Sequence, residues 1–142
     1  MNFIRASVIL FVAFGGSVIA QTASFSADGN KLATGGGQVT LTAAVAYEGE
    51  PGALGWSVAL PESWSFAGVV GPNVPAIVPE AGSTGTLEFA FTAVPAHRAE
   101  FSILVRYPAG ATPASATPMV LLRSAGKLTT LKPAVVNFQA TP

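Results

Sequence analysis

Apolar and polar residues alternate with a period of two along most of this chain, and the alternation defines its elements before any other property is considered. Val39, Leu41, Ala43, Val45 and Tyr47 fall on one parity, with Gln38, Thr40, Thr42, Ala44 and Ala46 on the other, the pattern of a half-buried strand. Leu54, Trp56, Val58 and Leu60 repeat it. So do Leu87, Phe89 and Phe91 set against Thr86, Glu88, Ala90 and Thr92, and again Phe101, Ile103, Val105 and Tyr107. Weaker candidates surround Phe25 and cover 64–70, 116–123, 127–131 and 135–139. Between them stand turn signals such as Asp28-Gly29-Asn30, Gly71-Pro72-Asn73, Pro108-Ala109-Gly110 and Ala125-Gly126. No stretch after residue 20 reads as an amphipathic helix. The spacing predicts an all-β fold: a single antiparallel β-sandwich of about seven to nine strands, jelly-roll or immunoglobulin-like, over residues 21–142.

Prolines refine this picture. Pro61, Pro95, Pro108 and Pro133 fall at predicted strand ends, where a missing N–H costs no ladder bond. Pro118 falls inside the 116–123 candidate and predicts an edge strand or a bulge there.

The first twenty residues follow another pattern. Met1-Asn2-Phe3-Ile4-Arg5 precedes an apolar run over 6–14, Gly15-Gly16-Ser17 breaks it, and Val18-Ile19-Ala20 supplies the residues a signal peptidase reads. We expect a secretory signal peptide over 1–20 and a mature chain starting at Gln21. The run is well short of the roughly 20 residues a membrane anchor needs, and no later stretch approaches that length. The expected location is secreted, either extracellular or periplasmic.

Composition narrows the chemistry. Only 10% of residues are charged while 50% are hydrophobic, so like-charge repulsion between copies is weak and some self-association is expected. Removing Arg5 takes the formal charge from +0 to −1, and no basic stripe points to nucleic acid. The cysteine count is 0, so stability must come from the core rather than from disulfides, and no acylation site of the lipoprotein type exists. His97 is the single histidine, which leaves zinc without a ligand set, and it sits in a predicted connection. Gly82-Ser83-Thr84-Gly85 is not a nucleophile elbow, Gly35-Gly36-Gly37 lacks the residues of a phosphate loop, and Glu48 with Glu50 lacks calcium-loop spacing. No cofactor and no catalytic group are predicted.

Gly55-Trp56-Ser57-Val58, Leu60-Pro61, Trp64-Ser65, the run from Gly85 to Thr92 and the run from Phe101 to Pro108-Ala109-Gly110 together resemble secreted bacterial β-sandwich modules of the cohesin-like type. The resemblance spans 39–131. It implies a jelly-roll-like sandwich used for attachment or assembly rather than catalysis. Cohesins dock a calcium-binding dockerin, and no dockerin-like acidic loop is present here, so the resemblance transfers the fold and no binding residue.

Two sets of residues are candidates for binding. Trp56 shares parity with Leu54 and Val58 and is expected in the core, its indole N–H requiring an acceptor. Trp64 follows a predicted turn and either caps the sandwich or stands on its rim; with Tyr47 or Tyr107 it is the candidate sugar-stacking platform. In Pro118-Met119-Val120-Leu121-Leu122-Arg123 both parities are apolar, so one face is core and the other is open to a partner unless the segments 127–131 or that around Phe138 cover it. Val120 with Leu122 is the candidate partner-binding pair, and Met119 with Leu121 is the opposite face. The functions these features predict are a non-enzymatic module binding an extracellular or envelope protein, alternatively a carbohydrate-binding module taking a polysaccharide, and further a surface-polymer subunit assembled by strand addition.

Overall fold

The computed structural model describes residues 21–141, so the predicted signal peptide lies outside the described residues. Ten strands make two packed sheets: β1 (Thr22–Ala27), β2 (Lys31–Leu32), β3 (Gly37–Ala46), β4 (Ala53–Ala59), β5 (Ser65–Val70), β6 (Thr86–Phe91), β7 (Arg98–Tyr107), β8 (Ala114–Ser124), β9 (Lys127–Leu131) and β10 (Val136–Ala140). No helix occurs among the described residues. One sheet runs β1-β3-β7-β5, the other β2-β10-β8-β4-β6 with β9 also paired to β8. All pairings are antiparallel except one, for β2 lies parallel to β10 through Lys31–Gln139 and Leu32–Ala140. The period-two stretches each form a strand, and only the two-residue β2 has no counterpart in the sequence pattern.

Alternation decides which residues meet between the sheets. Val39, Leu41, Ala43 and Val45 of β3 and Phe101, Ile103 and Val105 of β7 face Leu54, Trp56 and Val58 of β4 and Val120 and Leu122 of β8, all buried. Trp56 occupies the centre, 6.1 Å from the Phe101 ring centroid in an edge-on arrangement and 6.4 Å from Phe25. Rings set in this way add to area burial because edge and face carry opposite partial charge. Trp56 Nε1 is buried without an acceptor, contrary to the expectation that a buried indole finds one. Such a donor costs about 1–3 kcal/mol, which burial of the indole offsets.

β8 is not an edge strand. On one side it pairs with β4 from Thr117 to Arg123. On the other it pairs first with β10 through Ala114 to Ala116 and then with β9 through Val120 to Ser124. The neighbour changes over 117–119, opposite the segment 132–135 that joins β9 to β10. Pro118 falls in this gap, so its missing N–H interrupts no ladder on that side, and Pro133 sits in the facing break. The proline therefore marks a change of neighbour inside the sheet rather than an edge.

Candidate functional site: an apolar trough on the outer face of one sheet

The register of the larger sheet places Ile77, Ala90, Gly55, Leu121 and Thr130 in one lateral row across its outer surface. Ile77 joins through paired backbone bonds, its N–H donating to Ala90 O and Ala90 N–H donating to Ile77 O, both 3.0 Å. Leu128 and Arg123 flank the row on one side, and Met119, Ser57 and Glu88 on the other. Ile77 is 56% exposed, Leu128 51% and Leu121 37%, so three large aliphatic side chains stand in solvent around a floor of Gly55 and Ala90. An open trough of about 360 Å³ lies at the Leu121 and Leu128 side of this row, lined also by Ala53, Gly55, Ala90 and Arg123, with Ile77 standing beyond Ala90.

Gly55 is the informative floor residue. A strand-interior glycine costs roughly 0.5–1 kcal/mol relative to alanine, and proteins ordinarily keep one where the backbone demands it. Here nothing demands it: its φ is not positive, and an added Cβ would meet only Phe89 O at 3.5 Å, an ordinary contact. The missing side chain leaves the trough floor low and contributes nothing to the fold.

The candidate residues named from sequence fall elsewhere. Val120 and Leu122 are 0% exposed because they stand opposite Trp56 and Leu54 across β4 and share their face. They are core, and the open face belongs to Met119 and Leu121. Neither β9 nor β10 covers that face; both pair with β8 edge to edge. Trp64 is 2% exposed, with Phe138 at 4.9 Å and Tyr107 at 5.3 Å between ring centroids, so it is neither rim nor platform. An open cleft of about 410 Å³ at that end is lined by Pro61, Glu62, Ser63, Trp64 and Ala111, but the buried indole presents only a margin to it rather than an exposed ring face. Tyr107 packs on Trp64, and its hydroxyl accepts the Ala33 N–H at 2.9 Å. Tyr47 is buried, its hydroxyl donating to Pro95 O at 2.7 Å, and burial raises its pKa above the ordinary tyrosine value. Gly37 pairs with Tyr107 and Ala46 with Arg98, which puts Tyr47 and Tyr107 at opposite ends of β3, about 30 Å apart. They cannot share one sugar. Ile77, Leu128, Gly55 and Ala90 were missed because the row exists only across strands; apolar residues on both parities of 119–122 were its one sequence signal.

Titratable groups do not converge. Among the described residues no three of His, Asp and Glu form a group able to hold a metal ion. His97 is an exposed turn residue with φ 69°, and its carbonyl accepts the Tyr47 N–H at 2.9 Å. Arg98 and Glu100 pair with each other on the surface. No described helix is long and apolar enough to cross a membrane.

No protein-family profile matches the chain, and no curated protein matches it. Among solved structures the fold is similar to a non-cellulosomal cohesin from the hyperthermophilic archaeon Archaeoglobus fulgidus, with a TM-score of 0.55 over 84% of this chain and 91% of that one, at 8% identity. A family 123 glycoside hydrolase from Clostridium perfringens aligns with a TM-score of 0.39, 13% identity, over 85% of this chain and 27% of its own. The chain therefore has a cohesin-like β-sandwich fold.

Proposed function

We propose that the protein is a secreted, non-enzymatic interaction module that binds a partner protein of the cell envelope or its surroundings through the outer face of β4, β6, β8 and β9. The observation that carries this reading is the row Ile77-Ala90-Gly55-Leu121, an exposed aliphatic rim around a glycine floor that the backbone does not require. Exposed aliphatic groups gathered into one patch, rather than scattered singly, mark a surface that another protein covers. The partner presents one or two apolar side chains to the trough, with Arg123 and Glu88 at its margins selecting polar neighbours. The cohesin-like fold agrees with such a role, and the signal-like pattern of residues 1–20 supports export with cleavage before Gln21.

Gly55→Val tests the site without harming the fold. A β-branched residue in a strand with room for it holds or raises the melting temperature, while it fills the trough. Protein recovered from its native host, its start at Gln21 verified by intact mass, is immobilised and exposed to the envelope and medium fractions of the same cells. A protein retained by the wild type, lost on Gly55→Val and on Leu121→Glu, and bound again after purification is the expected outcome. Equal retention by all three, or retention of polysaccharide alone, overturns the proposal.

A further inference from the structure

A two-sheet sandwich has open strand edges, and this one protects all but one of them. The β5–β6 connection closes one side: Phe66 N–H donates to Ser83 O at 2.8 Å and Gly82 N–H to Phe66 O at 2.7 Å, while Ile77 exchanges two bonds with Ala90 of β6. β5 also has a register shift between Phe66 and Gly68, a bulge that bends its edge. On the other side the larger sheet ends in the two-residue β2, which carries Lys31, and in β9, which starts at Lys127 and is followed by Lys132-Pro133. Short strands, lysines, prolines and bulges are the means by which proteins prevent edge pairing. β1 has none of them: residues 21–27, Gln-Thr-Ala-Ser-Phe-Ser-Ala, contain no charged side chain and no proline, and β1 pairs with β3 without a bulge.

The ladder shows which β1 groups are free. Asp28 N–H donates to Thr40 O at 3.0 Å, which makes Asp28 and Thr40 a hydrogen-bonded pair in the register that continues from β1. Antiparallel pairs alternate, so Ser26, Ser24 and Thr22 direct their backbone groups to β3, while Ala27, Phe25 and Ala23 direct theirs outward. The outward edge borders an open cleft of about 600 Å³ between Phe25, Ser26 and Ala27 on one side and Val136, Asn137 and Gln139 on the other.

We infer that β1 pairs with β1 of a second copy of this chain, antiparallel about a two-fold axis through Phe25. In that register Phe25 faces Phe25, and Ala23 faces Ala27 of the second copy, so every outward N–H and C=O of the three residues finds a partner. A register centred on Ser24 pairs Ala23 with Phe25 within the strands, and it bonds Ala27 only through Gln21, which lies outside β1. Side chains agree with the axis at Phe25. Ser24 opposes Ser26 of the second copy on the outer surface, and Thr22 opposes Asp28, with no like charges in contact. On the inner side the two Phe25 rings meet at the end of each core. The two four-stranded sheets become one continuous sheet of about eight strands, with the troughs on the other sheets of the two copies left free. The inference is independent of the proposed partner site.

Sedimentation velocity of the exported protein from micromolar to millimolar concentration reads the association directly. The wild type is expected to pass from one to two chain masses. Ala23→Pro removes an N–H that bonds nothing within the chain, so the monomer keeps its melting temperature while dimer dissociation rises about tenfold or more, for two lost bonds per dimer. Ser24→Lys with Ser26→Lys opposes like charges across the axis and weakens the dimer; Ser24→Lys with Ser26→Glu opposes unlike charges and restores it. A wild type that stays monomeric throughout, a dimer indifferent to Ala23→Pro, or equal effects of the two charged pairs each overturns the assignment. So does a dimer dissolved by Gly55→Val, which would place self-association on the trough.

Discussion

Replacing apolar pairs of β8 by threonine separates its two faces by a margin set by burial. Val120 and Leu122 are both 0% exposed among Trp56, Leu54 and the facing sheet. Val120→Thr keeps the shape of the side chain and buries a hydroxyl, a cost of about 1–3 kcal/mol unless a partner is found. Leu122→Thr also removes methyl groups and leaves space, for about 2–4 kcal/mol. The two positions are neighbours on one face, so the pair costs less than the sum, about 3–6 kcal/mol. For a domain of this size each kcal/mol moves the midpoint by roughly 3–5 °C, and the double variant should melt on the order of 10–25 °C below wild type. That approaches the whole stability of a typical domain, so the single variants are measured first. Met119→Thr with Leu121→Thr alters half-exposed and exposed side chains on a strand that favours β-branched residues, and should stay within about 0.5 kcal/mol of wild type. Circular dichroism melts, with urea titrations for slopes, give both values. Equal losses for the two pairs would mean that β8 is covered on both faces and that no trough exists. A reversal of the order would mean a register slip of one residue, which exchanges core and surface.

Trp64→Ala should cost about as much as Trp56→Ala, about 3–5 kcal/mol in chemical denaturation, because both rings are buried; Trp56→Phe should cost clearly less, since it also removes a donor without an acceptor. Tyr47→Phe should lose about 0.5–1.5 kcal/mol at neutral pH with the bond to Pro95. Because burial raises the Tyr47 pKa, folding favours its neutral form, so its contribution is complete below about pH 10 and is lost as pH rises further; melts from pH 8 to 11 should fall less steeply in Tyr47→Phe. Gly71→Ala should destabilise by more than about 2 kcal/mol, because φ is 128° and a Cβ would lie 2.9 Å from Phe101 Cα, whereas Gly29→Ala, with nothing within 4 Å, should be near neutral in the same assay.

The strands were legible because a half-buried sheet writes its two faces into alternate residues, as in Val39 to Tyr47 and Phe101 to Tyr107. Tyr47 and Tyr107 both lie on those stripes, and parity alone placed them inward; the sugar-platform reading set that signal aside. Trp64 was harder, for what buries it is Phe138, from the far end of the chain. Parity in β8 was uninformative because both faces are apolar, and only the pairing of Val120 with Trp56 distinguishes them. Pro118 pointed to an edge by a sound rule about missing donors, but a strand interior can lack a neighbour where one partner ends and another begins. The trough was illegible for a related reason: its residues come from four strands and one connection, and no local window contains them.

The parallel ladder of β2 on β10 joins residues near the start of the described chain to its last strand, with Thr141 N–H donating to Leu32 O at 3.1 Å and Phe138 closing the core over Trp64. A ring of chain this long is closed late, since its entropy must be lost before the contacts that reward it exist, and folding of such topologies falls in the millisecond to second range. During synthesis the core stays open at the Trp64 end until the final strand has emerged. On the export proposed above, the same topology keeps the chain threadable during passage and delays sealing until Phe138 has crossed.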